Sequence, residues 1–154
     1  MTGPGEWYIN GVVRSHLFWW ERLLPLKTIL HTNHEARFFS LHNCDTTLLA
    51  GFTFSNGSAG SDGTGGALHI NDSNTVISNC LFTGNKAASA GAVFLGTATT
   101  LFENCAFFRN RAIQAGNAFY PGGHTTARFV NCTFAANRTP ANLNLLTTAI
   151  QTNT

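Results

Sequence analysis

Apolar residues fall along this chain in short alternating bursts, separated by stretches of Gly, Asn, Ser and Thr. Each burst is too brief for an amphipathic helix and has the two-residue alternation of a strand. The bursts also recur. Ile77-Ser78-Asn79-Cys80-Leu81-Phe82 returns as Phe102-Glu103-Asn104-Cys105-Ala106-Phe107, and again as Phe129-Val130-Asn131-Cys132-Thr133-Phe134. The asparagines in these phrases are 104 − 79 = 25 and 131 − 104 = 27 residues apart. A second phrase keeps the beat as Gly65-Gly66-Ala67-Leu68, Ala90-Gly91-Ala92-Val93 and Ala115-Gly116-Asn117-Ala118, its second residue falling at 66, 91 and 116. A third marker, Asn85, Asn110 and Asn137, closes each repeat three residues after Phe82, Phe107 and Phe134.

A degenerate earlier copy aligns through Gly51-Phe52-Thr53-Phe54-Ser55-Asn56-Gly57, with Phe54 in the place of Phe82 and Phe52 in that of Cys80. Arg37-Phe38-Phe39-Ser40-Leu41 reads as the strand before it. Repeats then cover residues 37–139. Residues 1–36 read as an incomplete first coil or an N-terminal cap containing Trp19 and Trp20, and residues 140–154 as a partial coil or tail. A coil of this length holds roughly three strands, and stacking coils about 4.8 Å apart pairs each strand in parallel with its copy. The predicted fold is all-β, a right-handed parallel β-helix of about four to five coils.

Stacking turns the repeats into columns. Ile77 shares parity with Asn79, while Cys80 and Phe82 share the opposite parity, yet all the apolar members should face the core. One residue in the left-handed region would reset the alternation, and Asn tolerates that conformation. Asn79, Asn104 and Asn131 are therefore expected to form a ladder at one corner, with a buried turn hydrogen bond that Asn104→Leu would remove. Cys80, Cys105 and Cys132 should stack inside as reduced thiols, beside Phe82, Phe107 and Phe134, with Cys44 apart from them. In-register parallel neighbours seldom present the dihedral a disulfide requires, and no CxxC spacing supports zinc.

The phrases at 65–68, 82–85, 107–110 and 134–137 resemble the repeats of polymorphic outer membrane proteins, and more broadly of right-handed β-helix repeat proteins. The opening Thr2-Gly3-Pro4-Gly5-Glu6-Trp7 is similar to the first-coil turn of such proteins. The resemblance spans Phe38 to Asn137 and implies an extracellular or cell-surface location and an adhesin-like or structural role. The C-terminal membrane barrel of that family does not appear here. Natural solenoids cap their end strands, so both ends are expected to be cuts from a longer solenoid, able to associate end to end.

Composition narrows the function. Only 10% of residues are charged and the net charge is +2, too little for binding driven by phosphate neutralisation, so no nucleic-acid partner is expected. The apolar run Leu17 to Leu30 is broken by Glu21, Arg22, Pro25 and Lys27, which excludes a membrane span, and it lacks the layout of a signal peptide. The seven acids are Glu6, Glu21, Glu35, Asp45, Asp62, Asp72 and Glu103, and no two share a column. Paired carboxylates for glycoside cleavage are thus missing, and neither catalytic residues, metal nor cofactor are expected. The competing reading is a fragment of a polysaccharide lyase or glycoside hydrolase whose catalytic coils lie elsewhere.

Two columns carry candidate binding chemistry toward glycans or proteins. Lys86, Arg111 and Arg138 follow the closing asparagines in register, with Arg109 beside them and no acid in their column. Like charges on neighbouring strands oppose each other, so this stripe is either a set of splayed, solvated side chains or a contact for acidic glycans or phosphate-bearing surfaces. His69, Phe94 and Phe119 align in the other column. Turned outward they would form a ribbon that stacks on sugar rings; turned inward they are core, which is the expectation adopted. His31 and His34 read as a solvated turn rather than a metal site.

Overall fold

A computed structural model describes residues 28–138 except Asp45, together with the backbone of two short strands before them, β1 (Trp7–Tyr8) and β2 (Val13–Arg14). Every described element is a strand, as the short alternating bursts require. The first coil closes with β3 (Thr28–His31), and the second has β4 (Phe39–His42), β5 (Thr47–Ala50) and β6 (Phe52–Ser55). The third has β7 (Leu68–Asn71), β8 (Ser73–Ser78), β9 (Leu81–Thr83) and β10 (Lys86–Ser89). The fourth has β11 (Val93–Leu95), β12 (Ala98–Glu103), β13 (Ala106–Phe108) and β14 (Arg111–Ala115), and the fifth β15 (Phe119–Pro121), β16 (Thr126–Val130) and β17 (Thr133–Ala135).

All strand pairs are parallel. They make three five-stranded sheets, β1-β4-β7-β11-β15, β2-β5-β8-β12-β16 and β3-β6-β9-β13-β17, and a fourth, two-stranded sheet, β10-β14. The run from Arg37 to Leu41 does not lead directly into the Phe52 strand, because β5 intervenes and carries Leu49 beneath Ile77. The segment around Trp19 and Trp20, expected as part of an incomplete first coil or cap, residue 139, and the expected partial coil or tail at 140–154 lie outside the described residues.

The core is a set of columns. Phe54, Phe82, Phe107 and Phe134 stack ring on ring at 5.0, 4.8 and 4.5 Å, with planes 16°, 7° and 1° apart. A second stack, Phe102 on Phe129 at 4.7 Å, meets the first edge-on. Such T-shaped contacts join two sheets without leaving voids between flat rings. Thr47, Thr75 and Thr100 form an inward column of their own, their hydroxyls buried and without hydrogen-bond partners.

Two kinds of asparagine make the corners. Asn79, Asn104 and Asn131 take φ of +53°, +52° and +50°, and Gly51 holds the same place in the second coil at +76°. Their side chains are exposed, so the buried turn hydrogen bond expected at Asn104 is not there; the contacts are made by backbone, Asn79 N–H donating to Glu103 and Asn104 N–H to Val130. What Asn supplies at this corner is tolerance of the left-handed region. The hydrogen-bonded ladder belongs to the closing residues Asn85, Asn110 and Asn137, of which the first two are fully buried.

The beat is not constant. Lys86 lies beside Arg111 and Ala87 beside Ala112, but Ser89 lies beside Ala115, so β14 carries one residue more than β10. This bulge pushes Ile113 out to 53% exposure. From there the offset is 26, and Gly116, not Ala115, follows Gly65 and Ala90, all three with positive φ.

Candidate functional site

Two outward faces meet around the turn that joins the β10-β14 sheet to the sheet of β7, β11 and β15. The first is a groove of about 470 Å³ lined by His34, Ser58, Gly60, Ser61, Lys86, Ala87, Arg111 and Ile113. Its floor is β10 and β14. Its wall exists because the second coil takes 64 − 58 = 6 steps from Ser58 to Thr64, where the third takes 89 − 86 = 3 from Lys86 to Ser89; both ends of these segments are bridged. The three surplus residues rise as a loop that Gly60, at φ +78°, turns, tied down by Ala59 N–H to Lys86 O and Ala88 N–H to Gly63 O.

Lys86 and Arg111 sit side by side on adjacent rungs, both exposed. Arg138 continues the column, its N–H donating to Asn110 O as that of Arg111 does to Asn85 O. No carboxylate lines the groove. Ser58, only 6% exposed, accepts from Gly60 N–H at 3.2 Å, and Ser61 donates to the exposed Asp62. Slight burial of a mostly exposed ring, with Lys86 second and His31 a smaller contributor, holds His34 below its ordinary value despite a hydrogen bond from the ring to the Gly57 backbone that acts the other way. Arg109 does not enter the groove: its guanidinium lies 4.7 Å above the ring of Phe108, from a backbone at φ +54°.

The second face is aromatic. The expected column of His69, Phe94 and Phe119 is corrected by the β14 bulge, because the one-residue offset pairs Phe94 with Tyr120 and Val93 with Phe119. Shifting a strand by one residue exchanges its faces. Phe119 therefore turns inward, against Phe102 and Phe129 at 6.0 and 5.1 Å. His69 and Phe94 are half-buried and Tyr120 is 38% exposed, so the column faces out, against the expectation that it is core. The ring centroids run His42 to His69 at 5.5 Å, His69 to Phe94 at 4.9 Å and Phe94 to Tyr120 at 6.3 Å. Thr64 Oγ1 fixes the His69 ring through Nδ1 at 3.0 Å. The register shift that hid Tyr120 leaves no mark in the count, because Arg111 to Gly116 is as long as Lys86 to Gly91.

Inside, Cys80 and Cys105 are buried and Cys132 is half-buried; these three and Cys44 are reduced thiols. Cys105 is pushed up by its hydrogen bonds to the neighbouring thiols of Cys132 and Cys80 and by burial, while Cys132, which the Cys105 thiol supports, is drawn down to about 7. Among the described residues no three His, Cys, Asp or Glu side chains are grouped to hold a metal. Glu103 lies between Ser78 and Val130, so no carboxylate stacks on it. Among the described residues no helix is long and apolar enough to cross a membrane.

A family model described as a right-handed β-helix region matches residues 31–151. No curated protein and no solved structure matches the chain.

Proposed function

This chain belongs to the right-handed β-helix family, and from that premise we propose that it is a non-catalytic solenoid of the cell surface or the secreted space that binds glycans. The observation that carries the reading is the outward ribbon of His69, Phe94 and Tyr120, one ring per rung. The rings stack on one another along the axis, His69 on Phe94 and Phe94 on Tyr120, so the ribbon turns their edges outward as a continuous apolar strip against which sugar C–H faces can pack, with the tyrosine hydroxyl and the imidazole supplying hydrogen bonds. The column is outward rather than part of the core, with His69 and Phe94 half-buried and Tyr120 38% exposed, which leaves an apolar strip accessible to a ligand. The isolated position of Glu103 supports binding rather than cleavage, since glycoside hydrolysis needs two carboxyl groups about 5 to 9.5 Å apart.

A glycan array tests this, comparing the wild-type chain with Tyr120→Ala and with an unrelated β-helix. The expected result is a set of glycans bound by the wild type and at least tenfold more weakly by Tyr120→Ala. Binding no better than the unrelated β-helix would remove the proposal, and release of shortened sugars from a bound polysaccharide would replace it with a lyase or hydrolase.

A further inference from the structure

We propose that the groove between the loop at residues 59–63 and strands β10 and β14 is a second binding site, for the carboxylate or sulfate groups of an acidic glycan. The proposal rests on the glycan reading above but on different residues. Lys86 and Arg111 are in register on adjacent rungs, with Arg138 next in the column. Side-by-side like charges destabilise a sheet, and the one carboxylate of the wall loop, Asp62, accepts from Ser61 and does not line the groove. The arrangement is costly for the folded chain alone and suits a ligand that brings the negative charge.

The shape narrows the ligand further. Three cations on consecutive rungs, about 4.8 Å apart, match a polymer with repeating anionic groups better than a single small ion. Lysine offers a point charge and arginine a planar fork that donates two parallel hydrogen bonds to a carboxylate or sulfate. The wall adds neutral donors. Ser58 accepts from Gly60 N–H, which leaves its own O–H to turn toward the groove. Ile113, thrown outward by the β14 bulge to 53% exposure, gives the same groove an apolar patch. Charge, hydroxyl and apolar surface in one groove fit the mixed surface of a sugar ring bearing an oxyanion. They fit a bare phosphate backbone less well.

Binding is measured by calorimetry with four probes: a heparin oligosaccharide for sulfate, an oligogalacturonate for carboxylate, neutral dextran, and a single-stranded oligonucleotide. The variants are Lys86→Gln/Arg111→Gln together, Arg109→Gln, and Tyr120→Ala. The expected outcome is that at least one acidic glycan binds the wild type more tightly than dextran and the oligonucleotide do. The double variant should weaken it tenfold or more while Arg109→Gln, whose guanidinium lies on Phe108, leaves it unchanged. An unchanged thermal melt shows the double variant to be folded. The proposal is overturned if the double variant keeps its affinity for the acidic glycan, if Arg109→Gln weakens it equally, or if the oligonucleotide binds as tightly. Loss of all glycan binding in Tyr120→Ala alone, with the double variant unaffected, would sink the groove and leave the ribbon. Acidic-glycan binding lost only in the double variant would do the reverse.

Discussion

Asn85 is joined twice to Asn110: its side-chain amide donates to Oδ1 of Asn110 at 2.9 Å, and its backbone N–H donates to the same oxygen at 3.0 Å. Asn110 repeats both bonds to Asn137, and each amide also donates to a carbonyl of the coil before, Asn85 to Phe54, Asn110 to Phe82 and Asn137 to Phe107. Asn110→Ala removes the acceptor of two donors and the donor of two acceptors at a buried site. At about 1 to 3 kcal/mol for each buried group left unpaired, it should cost roughly 3 kcal/mol or more. Asn104→Ala, at an exposed corner, should cost about 1 to 2 kcal/mol for the left-handed backbone alone, and Asn104→Gly almost nothing. Denaturant midpoints check this, and equal losses at the two alanine variants would refute the division of labour between the ladders.

The repeat made most of these columns legible from the sequence. Identical residues at a constant interval must stack once the chain coils, so the phenylalanine and cysteine columns and the Lys86–Arg111 register follow from counting. The two asparagine ladders were equally visible, but their roles were exchanged in one respect. Parity locates the corner at Asn79, while only the folded structure shows that the hydrogen bonds lie at Asn85. The aromatic face was misread for a sharper reason. Gly116 invites alignment with Gly91, yet it is the equivalent of Ala90, and nothing in a periodic count marks a one-residue bulge inside β14. Concavity was not legible at all, since the groove arises from three residues of surplus loop.

The bulge makes a direct prediction about neighbouring residues. Phe119, packed against Phe102 and Phe129, should behave as core, and Phe119→Ala should cost about 3 kcal/mol. Tyr120→Ala, on the outer face, should stay within about 1 kcal/mol of the parent. Thermal or chemical unfolding of the two variants distinguishes them. The opposite order would restore the 25-residue register and put Phe119 on the surface.

Thr75 and Thr100 bury hydroxyls with no hydrogen-bond partner, in a column that Ala127 continues without one. A desolvated, unpaired hydroxyl opposes folding, so Thr75→Val should raise stability by about 1 kcal/mol. The variant preserves the branched shape that fills the column and the strand preference with it. A lower unfolding midpoint in Thr75→Val would show that the hydroxyl has a partner in solution.

The thiol column should react at one end. Cys80 and Cys105 are 1% and 2% exposed, whereas Cys132 is half-buried and held down to about 7 by the Cys105 thiol. Because the thiolate is the nucleophile, iodoacetamide should modify Cys132 alone in the folded protein, with a rate that rises through pH 7. Peptide mapping after a short exposure reads this out. Modification of Cys105 at a comparable rate would contradict the order of the column.

His34 links the groove to pH. Its folded-state value lies below the ordinary 6.5, first because burial penalises the charged ring and then because Lys86 repels it, with a smaller repulsion from His31. The unfolded chain therefore binds the proton more tightly, and the stability this residue contributes is complete above about pH 7 and lost as pH falls through 6.5 toward the folded value. A bound oxyanion reverses the sign at this site, because negative charge beside Lys86 and Arg111 favours the imidazolium. Acidic-glycan affinity should then increase as pH falls from 7 to 5, with uptake of a proton on binding. Proton NMR of the His34 ring checks both halves: a midpoint below 6.5 in the free protein that rises when a heparin oligosaccharide saturates it. In His34→Gln the affinity should lose most of this pH dependence. A His34 midpoint that does not move on saturation would place the acidic ligand outside the groove.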